Sequence, residues 1–227
     1  MNELPEELDL LPSVLPAEGV VVSRLAAIAA RAAKRTDVAD VRGSADAAVI
    51  AALARRDEPV LVIAEDGDAA RRIAADVAFF LGDRDTSEED DGPDVLALTM
   101  PETSPYADVN PDRRAALGRM ATLAHLAVGR SWRVLVAPAS ALVRKLVPPA
   151  DVKAHTRRIA KDKEIDRDLL IRDLTDAGWI RVPVVEDPGS FAVRGSLFDV
   201  WPPGAPEPVR VELYGDLVES IRPFDPT

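Results

Sequence analysis

Three short apolar runs constrain the fold of this chain more than any other feature. They lie at 60–64 (VLVIA), 95–98 (VLAL) and 134–137 (VLVA). The first has turn-forming residues at both ends and is typical of a strand buried on both faces of a parallel sheet. Segments rich in helix formers separate the runs, at about 67–81 and 112–128. The pattern predicts right-handed βαβ units and a doubly wound parallel sheet.

Further helices are predicted around the first strand. Residues 18–34 are rich in helix formers and end in basic residues, which suit a helix C-terminus. Ser44 is a candidate N-cap for a helix that ends at Ala54. The pair Glu65-Asp66 is interpreted as a turn and the start of the next helix. The acidic stretch 83–94 predicts a solvated connection, since its carboxylates lack the spacing of a calcium loop.

The pattern changes after about residue 145. Pro148-Pro149 predicts a break, because proline lacks the N–H group that helices and strand ladders use. Beyond it we expect a strand near 152–159, a helix near 165–177 and then several strands punctuated by glycines. The sequence therefore predicts two domains: an α/β domain with a parallel sheet over 1–145 and a smaller, antiparallel α+β domain over 146–227.

One predicted strand of the second domain carries polar side chains along a single face. In 209–214 the apolar residues point one way, and Arg210, Glu212 and Tyr214 point the other. Residues 180–184 alternate similarly, if they are extended. Two interpretations stay open: a solvated face with cross-strand ion pairs, or a protein-binding platform, since Arg and Tyr are favoured interface residues.

The sequence lacks the motifs of several enzyme classes. No glycine is followed by lysine, and Asp46 follows Gly43-Ser44 where a phosphate-binding loop would lie. The absence of cysteine and the presence of only two histidines exclude thiolate and multi-histidine metal sites. A Gly-x-Ser-x-Gly nucleophile motif is also missing. We expect no catalytic residue and no metal site.

The charge of the chain disfavours nucleic acid and membrane partners. It has 39 acidic and 28 basic residues, a formal net charge of -11. Phosphate binding depends mainly on Lys and Arg, so we do not expect the whole chain to coat DNA or an anionic membrane. The N-terminus lacks an apolar signal core, and no stretch reaches the about 18 apolar residues of a spanning helix. A cytoplasmic protein without a membrane partner is expected.

Motifs in both parts of the chain resemble bacterial transcription-repair coupling factors. In the first part these are 102–106 (ETSPY), Pro111, 119–123 (RMATL) and 134–142 (VLVAPASAL). In the second part, two segments resemble the signature that coupling factors share with the excision-repair protein UvrB. They are 191–202 (FAVRGSLFDVWP) and 209–225 (VRVELYGDLVESIRPFD). The matching motifs keep their order and spacing from about residue 40 to the last residue.

The resemblance implies a fold and a function. The first domain would be a degenerate RecA-like (P-loop-like) domain that has lost nucleotide binding, and the second an α+β adaptor that recruits the repair protein UvrA. The chain would be the N-terminal fragment of a longer translocase. Other domains of that translocase, outside this sequence, would bind ATP, Mg²⁺, DNA and RNA polymerase. The fragment itself would be non-catalytic and need no cofactor. Two alternatives stay open: the start of a UvrB-like ATP-dependent helicase, which the missing Gly-Lys disfavours, and a structural spacer without a partner.

The resemblance also implies a UvrA-binding site on the sheet of the second domain. Arg194, Arg210 and Glu212 stand at matching motif positions, and Arg181 is a fourth candidate in a segment that aligns less well. We expect Arg194 and Arg210 to donate charge-assisted hydrogen bonds to carboxylates of the partner. A protein partner suits an acidic chain with a local arginine cluster better than DNA does.

Overall fold

The computed structural model describes residues 27, 35, 37, 38, 41, 43–56, 58–82, 93–100 and 113–226. The helices with described bounds are α1 (Ala45–Ala54), α2 (Gly67–Leu81), α3 (Arg113–Ala127), α4 (Ala139–Leu142), α5 (Pro149–Ala154) and α6 (Arg167–Asp176). The strands are β1 (Val60–Ala64), β2 (Val95–Ala97), β3 (Val134–Pro138), β4 (Ile180–Arg181), β5 (Ser190–Arg194), β6 (Leu197–Val200), β7 (Val209–Tyr214) and β8 (Leu217–Pro223). The predicted helix over 18–34, the acidic connection at 83–94 and the motif at 102–106 fall largely or wholly outside the described residues.

The first sheet is parallel, as the three apolar runs predict, with the strand order β1-β3-β2. We call this sheet and helices α1 to α5 the first module. One face of the sheet packs against α1 and α2, where Val134 and Val136 are fully buried. Helix α1 contributes Ala47, Ala51 and Ala54 to this core. Their spacing places the three methyl groups on one side of the helix, which can therefore lie close to α2.

Helices α1 and α2 begin differently. Asp66 accepts a hydrogen bond from the Ala69 N–H at 2.8 Å and so caps α2, which confirms the predicted start of this helix. Ser44 precedes α1 as predicted, but among the described residues its hydroxyl makes no capping bond. The N–H of Ala47 bonds to the Asp46 carboxylate instead, at 2.8 Å.

Strand β1 is exposed on one face, which corrects the prediction that it is buried on both. Leu61 is 54% exposed and Ile63 is 57% exposed. On this side of the sheet a second core joins β3 to α3, α4 and α5, through residues such as Leu123, Ala137 and Val152. Because β1 lies at the edge of the described sheet, these helices cover β3 beside it and leave this side of β1 exposed.

The segment that follows Pro148 is helical, which corrects the strand predicted near 152–159. Pro149 is the first residue of α5, a position where a missing N–H removes no helical hydrogen bond. Val152 is buried and packs with Leu123 in the second core of the first module. Helix α5 lies within the predicted second domain, 146–227, yet it packs on the first module. The boundary near residue 145 stays a prediction.

The second sheet has the order β4-β5-β6-β7-β8, and with α6 it forms what we call the second module. Strands β5 to β8 are antiparallel as predicted, but β4 pairs in parallel with β5, so the sheet is mixed. Helix α6, predicted near 165–177, covers one face through Leu170. Phe191 and Phe198 are buried beneath it, with their rings stacked at 5.8 Å between centroids.

Two glycines allow loops of the second module to contact α3. Gly189 has a φ of 75°, and a Cβ there would lie 2.8 Å from Cδ1 of Leu117. Gly204 has a φ of 85°, and its Cβ would lie 3.1 Å from the Cβ of Ala121. Arg113 Nη2 also donates a hydrogen bond to the Gly189 carbonyl, at 2.9 Å. Helix α3 of the first module therefore also contacts the second module.

Candidate protein-binding face

The side of the second sheet opposite α6 carries most of its charged side chains. Cross-strand register brings together on this side Ala192, Arg194, Leu197, Asp199, Arg210, Glu212, Tyr214, Leu217, Ser220 and Arg222. We call this set the polar face. The alternation predicted over 209–214 is confirmed, since Val211 and Leu213 are buried in the core on the other side.

A buried carboxylate joins two of the predicted site residues. Asp199, on β6, is 2% exposed and lies directly opposite Arg210 on β7. Arg210 donates from Nε to Oδ1 at 2.6 Å and from Nη2 to Oδ2 at 2.8 Å. Arg194, on β5, donates from Nη2 to Oδ2 at 2.9 Å. The two arginines thus share one carboxylate. Their hydrogen bonds to it are strong because donor and acceptor are both charged.

The charge of Asp199 is maintained by these contacts. Burial alone would raise the pKa of the Asp199 carboxyl, because burial disfavours the charged form. The hydrogen bonds and positive charges of Arg210 and Arg194 outweigh burial, so the pKa of Asp199 lies below its ordinary value. Hydrogen bonding to Asp199 also raises the pKa of the Arg210 guanidinium. At neutral pH the network therefore consists of one anion and two cations.

The two arginines differ in how exposed their side chains are and in how many contacts they make. The side chain of Arg210 is 25% exposed, and its guanidinium also lies over the ring of Phe224, 4.9 Å from the centroid. The side chain of Arg194 is 53% exposed and donates a single hydrogen bond within the described part of the chain. Arg194 is therefore the more accessible of the two to a partner.

Glu212 forms a second network beside the first. One carboxylate oxygen accepts a hydrogen bond from the Ser220 hydroxyl at 2.9 Å, and the other pairs with Arg222. Ser220 lies directly opposite Glu212 on β8, and the strand pairing shifts register just after Glu212. The polar face thus has cross-strand ion pairs, as one interpretation of the sequence predicts, and also keeps exposed arginines.

Arg181 lies apart from the other three predicted site residues. Strand β4 contains only two residues and lies at the edge of the sheet. Arg181 is paired with Phe191, whose ring lies in the core below α6, so its register position belongs to that side of the sheet. The alternation predicted for 180–184 ends with this short strand, and Ile180 and Val184 are about half exposed.

Sequence reasoning missed Asp199, Arg222 and Phe224 as parts of the site. One signal was available for Asp199: it is the only charged residue in strand β6, whose other members are apolar. Its partners could not be identified from that signal, because Arg210 is eleven residues away and meets Asp199 only through strand pairing.

The polar face is locally basic and has an exposed aromatic residue at one end. Its arginines number three, and its carboxylates two, in a chain whose formal net charge is -11. Tyr214 is 79% exposed and pairs with Leu217 at the end of the β7–β8 hairpin. A surface with excess arginine and an accessible tyrosine suits an acidic protein partner.

Neither a membrane span nor a metal cluster is found in the part of the chain that the structure describes. No helix in the described ranges is long and apolar enough to cross a membrane. Within the same ranges, no three or more His, Asp or Glu side chains are grouped so that they could hold a metal ion.

Comparison with known proteins links this face to a family. Residues 158–227 match the family described as the UvrB interaction domain, and the entire polar face lies in this range. The chain is 41% identical over 197 residues to a transcription-repair-coupling factor of Myxococcus xanthus, a match that covers 86% of this chain and 16% of that relative.

Two further relatives carry the same description. The transcription-repair-coupling factor of Escherichia coli is 29% identical over 196 residues, which is 86% of this chain and 16% of the relative. That of Bacillus subtilis is 31% identical over 192 residues, which is 83% of this chain and 15% of the relative. The chain thus spans about a sixth of the length of these relatives. The matches confirm the resemblance seen in the motifs of both parts.

Proposed function

Because the chain is homologous to the transcription-repair-coupling factors, we propose that it is a non-catalytic N-terminal part of such a factor and recruits UvrA to stalled RNA polymerase. One observation carries the proposal: the match to the UvrB interaction domain contains the whole polar face. RNA polymerase, DNA, ATP and Mg²⁺ would be bound by parts of the longer protein outside this sequence, and the site of action would be the cytoplasm.

The chemistry of the polar face supports an acidic protein surface as the partner. Arg194 and Arg222 are more than half exposed and present planar guanidinium groups, which can bind carboxylates through paired hydrogen bonds. Glu212 is less exposed than either and already has two partners. The recruiting contact would therefore run from arginines of this chain to carboxylates of UvrA, with Tyr214 as an apolar contact beside them.

The first module supports the non-catalytic part of the proposal. A nucleotide-binding domain needs a glycine-rich loop with a lysine before a helix. Here α1 begins after Gly43-Ser44, and Asp46 occupies the first turn, where its carboxylate would repel a phosphate group. We regard this module as a degenerate RecA-like domain that keeps the parallel sheet and has lost nucleotide binding.

Titration calorimetry of the chain with purified UvrA tests the proposal. The wild-type chain is expected to bind, and the double substitution Arg194→Ala/Arg210→Ala is expected to weaken binding by more than tenfold, since loss of a desolvated charged contact costs ~2–5 kcal/mol. Arg157→Ala is the matched control, because Arg157 pairs with Asp173 of α6, on the opposite side of the sheet. A folded wild-type chain that does not bind UvrA would leave the spacer alternative.

A further inference from the structure

We infer that Asp199 is a positioning residue of the polar face: it holds Arg194 and Arg210 in the orientation in which they bind an acidic protein surface, and it does not contact the partner itself. The identity of that partner rests on the proposed function above. The inference begins from the fact that the Asp199 side chain is 2% exposed and out of reach of another protein.

The hydrogen bonds define what Asp199 does to each arginine. It accepts from both Nε and Nη2 of Arg210, so the plane of that guanidinium is fixed against the carboxylate. It accepts only from Nη2 of Arg194. A guanidinium has five N–H donors, so Arg194 retains roughly four for a partner while one end is anchored.

Anchoring matters because arginine side chains have many rotamers. Fixing such a side chain during binding costs conformational entropy, and this cost is avoided if the side chain is already fixed in the free protein. Phe224 contributes to the same effect, since its ring lies against the Arg210 guanidinium. The polar face therefore presents pre-oriented cations, although they belong to two different strands.

The first measurement concerns the free protein and does not need UvrA. In ¹⁵N relaxation experiments on arginine Nε–Hε groups, Arg194 and Arg210 are expected to be rigid, and the exposed Arg181 on the edge strand mobile. In Asp199→Asn, which keeps the shape and removes the charge, Arg194 and Arg210 are expected to become mobile. Should this variant fail to fold, the wild-type comparison of Arg194 with Arg181 decides the point.

The second measurement is affinity for UvrA. Asp199→Asn is expected to bind about tenfold more weakly than wild type, although residue 199 is buried. When Asp199→Asn is added to Arg194→Ala, the total loss is expected to be smaller than the product of the two single losses, because both changes affect the same contact. A purely structural role for Asp199 would make the two losses multiply. Asp173→Asn, which alters the α6 ion pair with Arg157, is the control and should change neither measurement.

The outcomes separate this inference from the proposed function. If Arg194 is as mobile as Arg181 in the wild type, Asp199 does not position it and the inference is wrong. It is also wrong if a folded Asp199→Asn chain binds UvrA as tightly as wild type. If the arginines are rigid but the wild-type chain does not bind UvrA, the proposed function is wrong while the positioning by Asp199 stands.

Discussion

Arg210 and Asp199 lie directly opposite each other on neighbouring strands and share two parallel hydrogen bonds, at 2.6 and 2.8 Å. An arginine that we propose to bind the partner is therefore also part of the internal structure of the sheet. Arg194, which has one bond to the same carboxylate, is mainly a surface residue. This difference gives the first prediction.

Arg210→Ala is expected to destabilise the chain far more than Arg194→Ala. Removal of Arg210 leaves a buried carboxylate with one remaining partner, which should lower the free energy of unfolding by about 3 kcal/mol. Removal of the exposed Arg194 should cost less than about 1 kcal/mol. Urea denaturation of both variants measures the difference. Equal losses would mean that the two arginines support Asp199 equally.

The stability of the chain should depend on Asp199 at acid pH. The pKa of Asp199 is lowered in the folded state, so its contribution is present above the pKa of the unfolded chain, about 4, and is lost as pH falls through the folded value. Between about pH 5 and pH 2, wild type should therefore lose more stability than Asp199→Asn. Urea denaturation at several pH values measures this, and parallel curves for the two proteins would contradict it.

Gly189→Ala is expected to be destabilising because of both conformation and contact. Gly189 has a φ of 75°, and the added Cβ would lie 2.8 Å from Leu117 Cδ1. Together the strained backbone and the overlap should cost about 2 kcal/mol, since the Leu117 methyl groups lie at the end of a flexible side chain and can shift to relieve most of the overlap. Gly195→Ala is the control, since its φ of 59° is similar and nothing lies within 4 Å of the added Cβ. Its cost should be about 1 kcal/mol, from conformation alone. Thermal or urea denaturation compares the two variants.

Asp66→Ala should destabilise the chain, whereas Ser44→Ala should not. Asp66 accepts a hydrogen bond from the Ala69 N–H and caps α2, an interaction worth about 1 kcal/mol. Ser44 holds the equivalent position before α1 without a side-chain capping bond. Urea denaturation midpoints of the two variants should differ accordingly, and a loss in Ser44→Ala as large as in Asp66→Ala would show that Ser44 also caps its helix.

The chain should not bind ATP. Asp46 lies in the first turn of α1, and no lysine follows a glycine anywhere in the sequence. Calorimetric titration with MgATP is therefore expected to give no binding signal at millimolar nucleotide concentrations. Micromolar binding would favour the UvrB-like helicase alternative over the coupling-factor assignment.

Local sequence patterns were sufficient for most elements of the fold. Strand β1 and helix α2 have the predicted bounds, because an apolar run and a long amphipathic helix can each be recognised from one continuous stretch of sequence. Helix α5 was missed because proline was treated as a break, although at the first position of a helix it is favourable. The exposure of Leu61 was missed because it depends on strand order, which no local pattern encodes.

For the candidate site, too, local patterns predicted one part and pairing between strands determined the rest. Alternation along 209–214 predicted the side on which Arg210 and Glu212 lie, since side chains alternate along any strand. The partners of these residues could not be predicted, because Asp199 and Arg222 reach them through pairing between strands. Arg181 stays a prediction: its segment aligns less well with the family, and its register position lies on the side of the sheet that α6 covers.

The contacts of helix α3 have a mechanical consequence. Leu123 packs in a core of the first module, while Leu117 and Ala121 lie against Gly189 and Gly204 of the second. The polar face is thus linked to the first module through side-chain contacts between one helix and two loops. A rotation of the first module that keeps these contacts would turn the polar face with it.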